Sequence, residues 1–259
     1  MITSTKNSKI KEIRALQSRA RARREIGAFV VEGVRLTEEA VAAGWKPKLC
    51  LYIGDISERG MALVSRLKEQ DAPIEEVAPH VMEAASDTQS PQGILLVLPL
   101  QTLPLPEKLD FVLIADQVRD PGNMGTLLRS AAAAGVQAVV LSGKCVDVFS
   151  PKVLRSAMGA HFRIPVLTLS YDEIRAIREK HQLNLMMAAA GQGADYSDVD
   201  FNQPLALVIG GEAEGANSTL MEMADRRINI PMPGGSESLN TAAAGAIILF
   251  EIVRQRKIQ

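Results

Sequence analysis

Three short stretches hold the residues whose types and spacing could do chemistry. Residues 116–135 read D-Q-V-R-D-P-G-N-M-G-T-L-L-R-S-A-A-A-A-G, placing Arg119, Asn123 and Arg129 around the end of an expected strand and the first turns of an expected helix. Residues 207–218 end a strand in Gly210-Gly211, with Glu212 directly after it. Ligands of open α/β sheets bind outside such carboxyl ends of strands. Residues 228–248 pass from a short apolar strand through Pro231, Pro233, Gly234 and Gly235 to Ser236, Ser238 and Asn240, then into an Ala-rich helix. Hydroxyls, an amide and flexible backbone at the start of a helix can hold a ligand through main-chain groups. Taken one at a time, each stretch also reads as a plain connection that only needs breakers. Asn123 and Arg129 lie six residues apart, about 600° of helix or a net 240°. They point to different sides and can share one site only if a second element or a second subunit closes over it.

Several common chemistries lack their residues. The dinucleotide fingerprint needs three spaced glycines after a strand; Gly191-Gln192-Gly193 comes nearest, and Tyr196 stands at the third glycine position. Lys144 follows Gly143 but precedes Cys145, so there is no Walker-type phosphate loop. His80, His161 and His181 are scattered, with no metal-ligand spacing among themselves or with the cysteines, and read as surface or core histidines; no metal is expected. No G-x-S-x-G elbow is present.

The elements that must position the three stretches alternate. A basic helix is expected over 6–26, with Ile10, Ile13, Leu16 and Ala20 on one stripe. Strands at 29–31, 49–53, 74–77 and 94–98 alternate with helices at 34–43, 61–69 and 81–85, a small α/β sandwich. Pro99, Pro104 and Pro106 then mark a semi-rigid linker. The predicted organisation is an N-terminal α/β domain over 1–98, a linker over 99–108 and a second domain over 109–259. That second domain alternates more regularly, with strands at 111–115, 136–141, 165–169, 183–188, 205–210 and 228–232. Its helices are expected at 120–134, 150–160, 170–181 and 218–224, with a last one ending near Gln255. Asp120 with Pro121, and Ser170 with Glu173, are helix-start signals, and Gly135 is a stop. Such alternation implies a mostly parallel sheet with helices on both faces. The final helix is apolar almost all round from Ala242 to Phe250, which predicts burial. The Ala-rich surroundings of Arg129 likewise predict that it is not fully exposed.

Bulk properties narrow the class. Aromatics make up only 4% of the 259 residues, so the core must be built from Ala, Leu, Ile, Val and Met. No apolar run reaches the ~18 residues of a membrane span. The polar, basic start lacks the apolar stretch of a signal peptide. Cys50 and Cys145 read as buried small hydrophobes rather than a disulfide. The expectation is a cytoplasmic protein with no membrane partner. Net charge is −1, but eight basic residues against Glu12 and Glu25 put +6 on the first 26 residues, leaving −7 for the rest. A basic arm on an acidic body can contact phosphates; a solvated helix has the same composition.

In order along the chain, D-P-G-N-x-G-x-x-x-R-S-A, I-G-G-E-x-x-G and I-P-M-x-G-x-x-x-S-L-N resemble the three motifs of the SpoU/TrmH family of RNA ribose 2′-O-methyltransferases. The resemblance covers the second half. The first domain resembles the family's substrate-binding domain, including F-V-V-E-G-V-R at 29–35 and Gln92-Gly93-Ile94. The resemblance implies a C-terminal parallel sheet whose last segment forms a deep trefoil knot. It implies S-adenosyl-L-methionine in that knot, held by Gly210, Ile230 and Leu239. It implies catalytic roles for Asn123, Arg129, Glu212, Ser238 and Asn240. It implies a homodimer through the C-terminal domain, with Arg129 supplied to the partner's site, and an RNA substrate, rRNA favoured. A tRNA 2′-O-methyltransferase and a non-catalytic RNA-binding or assembly protein are the alternatives. Two departures are visible: Pro233 after Met232 where many members have a small residue, and Thr241-Ala242-Ala243 after Asn240 where Val-Ser-Val is common. They touch loop shape and helix packing.

Overall fold

The computed structural model describes residues 1–211 and 215–257. It divides into two compact units, Met1–Gln101 with Asp147–Phe162, and Thr102–Val146 with Arg163–Gln259.

The first unit opens with two helices where one was expected, α1 (Ser8–Ser18) and α2 (Ala20–Ile26), separated by Arg19 in extended conformation (φ −130°, ψ 116°). The expected stripe holds in α1, where Ile10, Ile13 and Leu16 are buried. The break has a visible partner in Arg23, which is 4% exposed. Its Nη1 donates to the carbonyls of Leu16 and Gln17 at the end of α1, and its Nε and Nη2 donate to Asp147 at 2.8 and 2.6 Å. One of the eight charges of the basic arm is therefore spent inside the fold.

Then follow β1 (Ala28–Glu32), α3 (Val34–Ala42), β2 (Leu49–Tyr52), α4 (Glu58–Glu69), β3 (Ile74–Glu76), α5 (Pro79–Ala85) and β4 (Ile94–Pro99). The strands order as β1-β4-β2-β3, with β4 antiparallel to both β1 and β2, and β2 parallel to β3. Ile10, Ile13 and Leu16 of α1 and Val81 and Met82 of α5 pack with Val30, Leu51, Leu95 and Val97 of the sheet.

The second half continues through β5 (Phe111–Asp116), α6 (Pro121–Ala134), β6 (Ala138–Ser142), α7 (Pro151–Ala157), β7 (Val166–Thr168), α8 (Tyr171–His181) and β8 (Asn184–Ala188). It ends with β9 (Ala194–Asp195), β10 (Leu205–Gly210), α9 (Ser218–Met223), β11 (Arg226–Asn229) and α10 (Thr241–Lys257). Seven strands pair in parallel in the order β7-β6-β5-β10-β8-β11-β9. Alternate residues face opposite layers. Val112, Ile114, Val140, Leu185, Met187 and Val208 pack with Ile174 of α8 and Leu220 of α9. On the other face α10 lies so close to α6 that a Cβ on Gly245 would run into Leu127, with Ile209 beside it.

Local signals behaved as expected at α6 and α8. Asp120 accepts from the Asn123 N–H at 2.8 Å, Pro121 occupies the first turn and Gly135 ends α6 at φ +78°. Ser170 and Glu173 form the capping box, and those hydrogen bonds hold the Glu173 carboxyl below its usual range.

Four features differ from the sequence expectations. The last strand is Arg226–Asn229 rather than 228–232, because its partner β8 ends at Ala188 and Pro231 has no N–H to pair. A two-residue edge strand, β9, lies between β8 and β10, where no strand was expected. The third difference is α10, which is buried along one face only. Ala242, Gly245, Ile248, Leu249 and Ile252 are covered, while Ile247 is 37% and Phe250 50% exposed. One layer of sheet and one neighbouring helix can cover only one side. The fourth is the segment Asp147–Phe162, which packs with the first unit although it follows the proline linker. The chain's scarce aromatics explain it: Phe149 lies 4.8 Å from Phe29 between ring centroids, and Phe162 lies 5.2 Å from Trp45. Such ring pairs gain beyond their buried area.

That segment carries a buried histidine, not a ligand. His161 is 4% exposed, with Nε2 2.8 Å from the Val148 carbonyl, so its neutral tautomer donates there. Nδ1 has no partner among the described residues. Burial pushes its pKa down to about 4. The unfolded chain protonates this ring near 6.5, so between those values it binds more protons than the folded one. Stability is then complete above pH 6.5 and declines toward acid, by about 2 kcal/mol from this group between pH 7.5 and 5. Denaturant melts of His161→Gln are expected to show a correspondingly flatter pH dependence over that interval. A variant as acid-sensitive as the parent would assign the effect elsewhere.

Among the described residues no helix is long and apolar enough to cross a membrane, and no cluster of His, Cys, Asp and Glu could hold a metal ion. Cys50 and Cys145 are free thiols, Cys50 buried and Cys145 half-buried. Burial pushes the Cys50 thiol up to about 12.

Candidate active site

The carboxyl ends of β8, β10 and β11 open onto a cavity of about 560 Å³, within the range of small-molecule sites. Its walls are the turn after β8 (Ala188, Ala189, Ala190), the end of β10 (Ile209, Gly210, Gly211) with Gly215, the end of β11 (Ile228, Asn229, Ile230) with Met232, and the entry to α10. Among the described residues, none that lines the cavity is ionisable. Asn229, Ser238, Asn240 and Thr241 supply side-chain amides and hydroxyls, and the rest is apolar surface and main chain.

Glycine is required where β10 ends. A Cβ on Gly210 would meet the main chain of Gly215 and Ala216, and one on Gly211 would meet the Gln117 carbonyl. Gly211 and Gly215 lie so close that they exchange hydrogen bonds of 3.2 Å. Gln117 holds φ at +56° beside it, a conformation with a cost for any residue but glycine.

Asp116, the last residue of β5 and the register partner of Gly210, anchors this loop. It is fully buried. Its Oδ2 accepts from the Asn217 N–H at 2.7 Å, and its Oδ1 accepts from Ser142 Oγ at 2.7 Å and Tyr171 OH at 3.1 Å. Burial first, and the Asp116 carboxylate second, push the Tyr171 phenol up to about 12. Sequence reasoning passed over Asp116. The available signal was a carboxylate closing an otherwise wholly apolar strand.

The helix α10 is started by Asn240, not by Ser236 or Ser238. Asn240 Oδ1 accepts from the N–H groups of Ala242 (2.9 Å) and Ala243 (3.2 Å). With its oxygen so engaged, its Nδ2 is the atom that donates to Asn123 Oδ1, at 2.8 Å. The first and third stretches, 117 residues apart, thus meet at one hydrogen bond.

The residues expected to hold a cofactor, Gly210, Ile230 and Leu239, all line the cavity, as do Ser238 and Asn240. Asn123 is joined to it through Asn240. Arg129 is not among the lining residues. It is exposed, because Met124, Leu127, Leu128 and Ala131 take the packed face of α6 and turn Arg129 outward with Thr126 and Ala133. Arg119 is also exposed. Glu212 lies outside the described residues.

Comparison with known proteins agrees with this arrangement. Residues 110–250 match the SpoU rRNA Methylase family, and residues 7–96 match the MRM3-like substrate binding domain. The 23S rRNA (guanosine(2553)-2′-O)-methyltransferase RlmP of Bacillus subtilis is 34% identical, over 97% of this chain and 98% of its own. Among solved structures, the SpoU methyltransferase AviRb of Streptomyces viridochromogenes, in complex with the cofactor AdoMet, superposes with a TM-score of 0.88 at 29% identity. That match covers 98% of this chain and 100% of AviRb. An AdoMet-bound rRNA methyltransferase from Sinorhizobium meliloti gives 0.88 and 29%, covering 98% and 97%. With both halves matched, and with three motifs gathered at the carboxyl edge of one parallel sheet, the chain belongs to the SpoU rRNA Methylase family.

Proposed function

We propose that this protein transfers a methyl group from S-adenosyl-L-methionine to the 2′-hydroxyl of a ribose in ribosomal RNA. The observation that carries the reading is the cavity at the ends of β8, β10 and β11, tied to Asn123 through Asn240. The residues present fit the cofactor. The volume suits it, the apolar walls suit its non-polar edges, and a cradle built on Gly210 and Gly211 lets main-chain groups come close. The bound cofactor supplies a methyl already activated by a sulfonium charge. The rRNA preference is supported by the names of the relatives, RlmP of Bacillus subtilis among them.

A ribose hydroxyl is a weak nucleophile at neutral pH, so the protein must align it with the methyl and ease the loss of its proton. Asn123, Ser238 and Asn240 orient ribose and cofactor, and Glu212 fixes the ribose or the arginine. Arg129 holds the neighbouring phosphate and stabilises the developing alkoxide. A guanidinium holds its proton too firmly to act as a base near neutral pH, which favours this electrostatic role.

Arg129 is exposed and does not line its own chain's cavity, so its role in the reaction needs a second subunit. The exposed side of α10, with Ile247 and Phe250, and the exposed side of the adjacent α6, with Arg129, support a homodimer through the C-terminal domain. Phe250→Glu is expected to shift sedimentation from dimer to monomer and to lower methyl transfer at least tenfold. A parent protein that is already monomeric at micromolar concentration removes the dimer from the mechanism. We also assign to 205–257 the family's trefoil knot; the insertion of β10 between β5 and β8 is consistent with it. We place the protein in the cytoplasm, a reading supported by the bacterial 23S rRNA methyltransferase among its relatives.

Calorimetry with S-adenosyl-L-methionine and with ATP, followed by mapping of 2′-O-methyl sites in RNA from cells with and without the gene, tests the reading. Heat from ATP alone, or an unchanged methylation map, overturns it.

A further inference from the structure

Three cations of the basic arm, Lys11, Arg14 and Arg19, line one groove. Within the first unit, the second half of α1 and the turn after α5 enclose a groove of about 500 Å³. Lys11, Arg14 and Arg19 line one side, and Ala84, Ser86 and Asp87 the other. The two sides are tied by Gln17, whose buried Nε2 donates to the Ala85 carbonyl at 2.7 Å.

Three cations line the groove against a single carboxylate, that of Asp87. Asp87 pairs with Arg155 at 2.7 Å. A helix C-terminus would normally repel an anion through its open carbonyls. Here the Ala15 carbonyl accepts from the Arg19 N–H, those of Leu16 and Gln17 accept from Arg23, and that of Arg14 accepts from Ser18 Oγ. Lys11, Arg14 and Arg19 themselves are exposed and have no ion-pair partner among the described residues. The neighbouring cations differ: Lys9 pairs with Glu75, Arg21 with Glu25, and Arg23 is buried. No aromatic side chain lines the groove, so it has no platform for stacking bases.

We infer that this groove is a binding track for the sugar–phosphate backbone of RNA, held by Lys11, Arg14 and Arg19 and indifferent to base identity. The inference rests on the RNA reading above only for the identity of the polyanion. Each phosphate neutralised releases counterions, so three contacts contribute about 2 to the slope of log K against log salt on a single strand.

The test compares two triple variants of the whole chain, each losing three exposed cations of this unit. One is Lys11→Gln/Arg14→Gln/Arg19→Gln; the control is Lys6→Gln/Arg24→Gln/Lys46→Gln. Fluorescence anisotropy with a labelled mixed-sequence RNA single strand, and separately with an RNA hairpin, is read across a salt series. Circular dichroism melts confirm folding. The groove variant is expected to lose about 2 from the salt slope on at least one RNA form, equally for different base sequences. The control is expected to lose less than half of that. Equal losses in both variants, or none in either, overturn the groove. So does inorganic phosphate that displaces RNA better than chloride at matched ionic strength, which would mean a single-ion site. S-adenosyl-L-methionine binding is measured on the same proteins. Its absence from the parent sinks the methyltransferase reading, while the groove result stands or falls separately on the RNA data.

Discussion

Arg129→Ala is expected to reduce single-turnover methyl transfer by about 10³-fold, the upper end for loss of one donor to a developing oxyanion. S-adenosyl-L-methionine affinity should stay within a few-fold of the parent. The two halves of that expectation come from different facts. Arg129 does not line the cavity, so its loss leaves the cofactor walls intact. It is exposed on α6 with no ion-pair partner among the described residues, so its charge is not committed to holding the fold. An arginine kept uncommitted beside an exposed apolar helix face is poised for something outside its own chain. Arg129→Lys separates charge from shape. It retains the positive charge but not the planar fork, and an intermediate rate is expected. Quenched-flow methylation of rRNA by pre-bound enzyme, with calorimetry alongside, measures both halves. An alanine variant that transfers at the parent's rate removes Arg129 from the reaction.

The second large effect is expected at Gly210. Gly210→Ala should weaken S-adenosyl-L-methionine binding at least 100-fold, about 3 kcal/mol. A Cβ there meets main-chain atoms of Gly215 and Ala216, not the tip of a side chain that could rotate aside. The loop must move, and with it Gly211 and Gly215, both part of the cavity wall. Asp116 holds the far end of that loop through the Asn217 N–H, so the strain has little room to dissipate. Gly234→Ala is the control. It lies in the glycine-rich entry to α10, yet a Cβ there meets nothing within 4 Å, and binding within a few-fold of the parent is expected. Thermal melts of both variants separate lost affinity from lost fold. If the two glycines prove equally tolerant, the tight turn after β10 is not the cofactor cradle.

Much of the second half could be read locally. Strand β10 and helix α6 fell where apolar runs, Asp120-Pro121 and Gly135 placed them, because caps and stops act over three or four residues. The three motifs also identified the family, since their order along the chain is itself a linear property. Several site features were not available that way. Ser236 and Ser238 were as good a helix start as Asn240, and only the packed chain selects Asn240 by giving its second amide atom a partner in Asn123. The apolar girth of α10 predicted burial on all sides, but how much of a helix is covered depends on how many layers lie against it. Segment 147–162 followed the linker in sequence, yet it joined the unit that held Phe29, Trp45 and the guanidinium of Arg23. Periodicity and capping are written in neighbouring residues, so most of the chain's elements were determined by sequence alone, whereas the break at Arg19 and the edge strand β9 were not. Which residues meet across a hundred positions depends on strand order and layer packing, and those exist only once the sheet has formed.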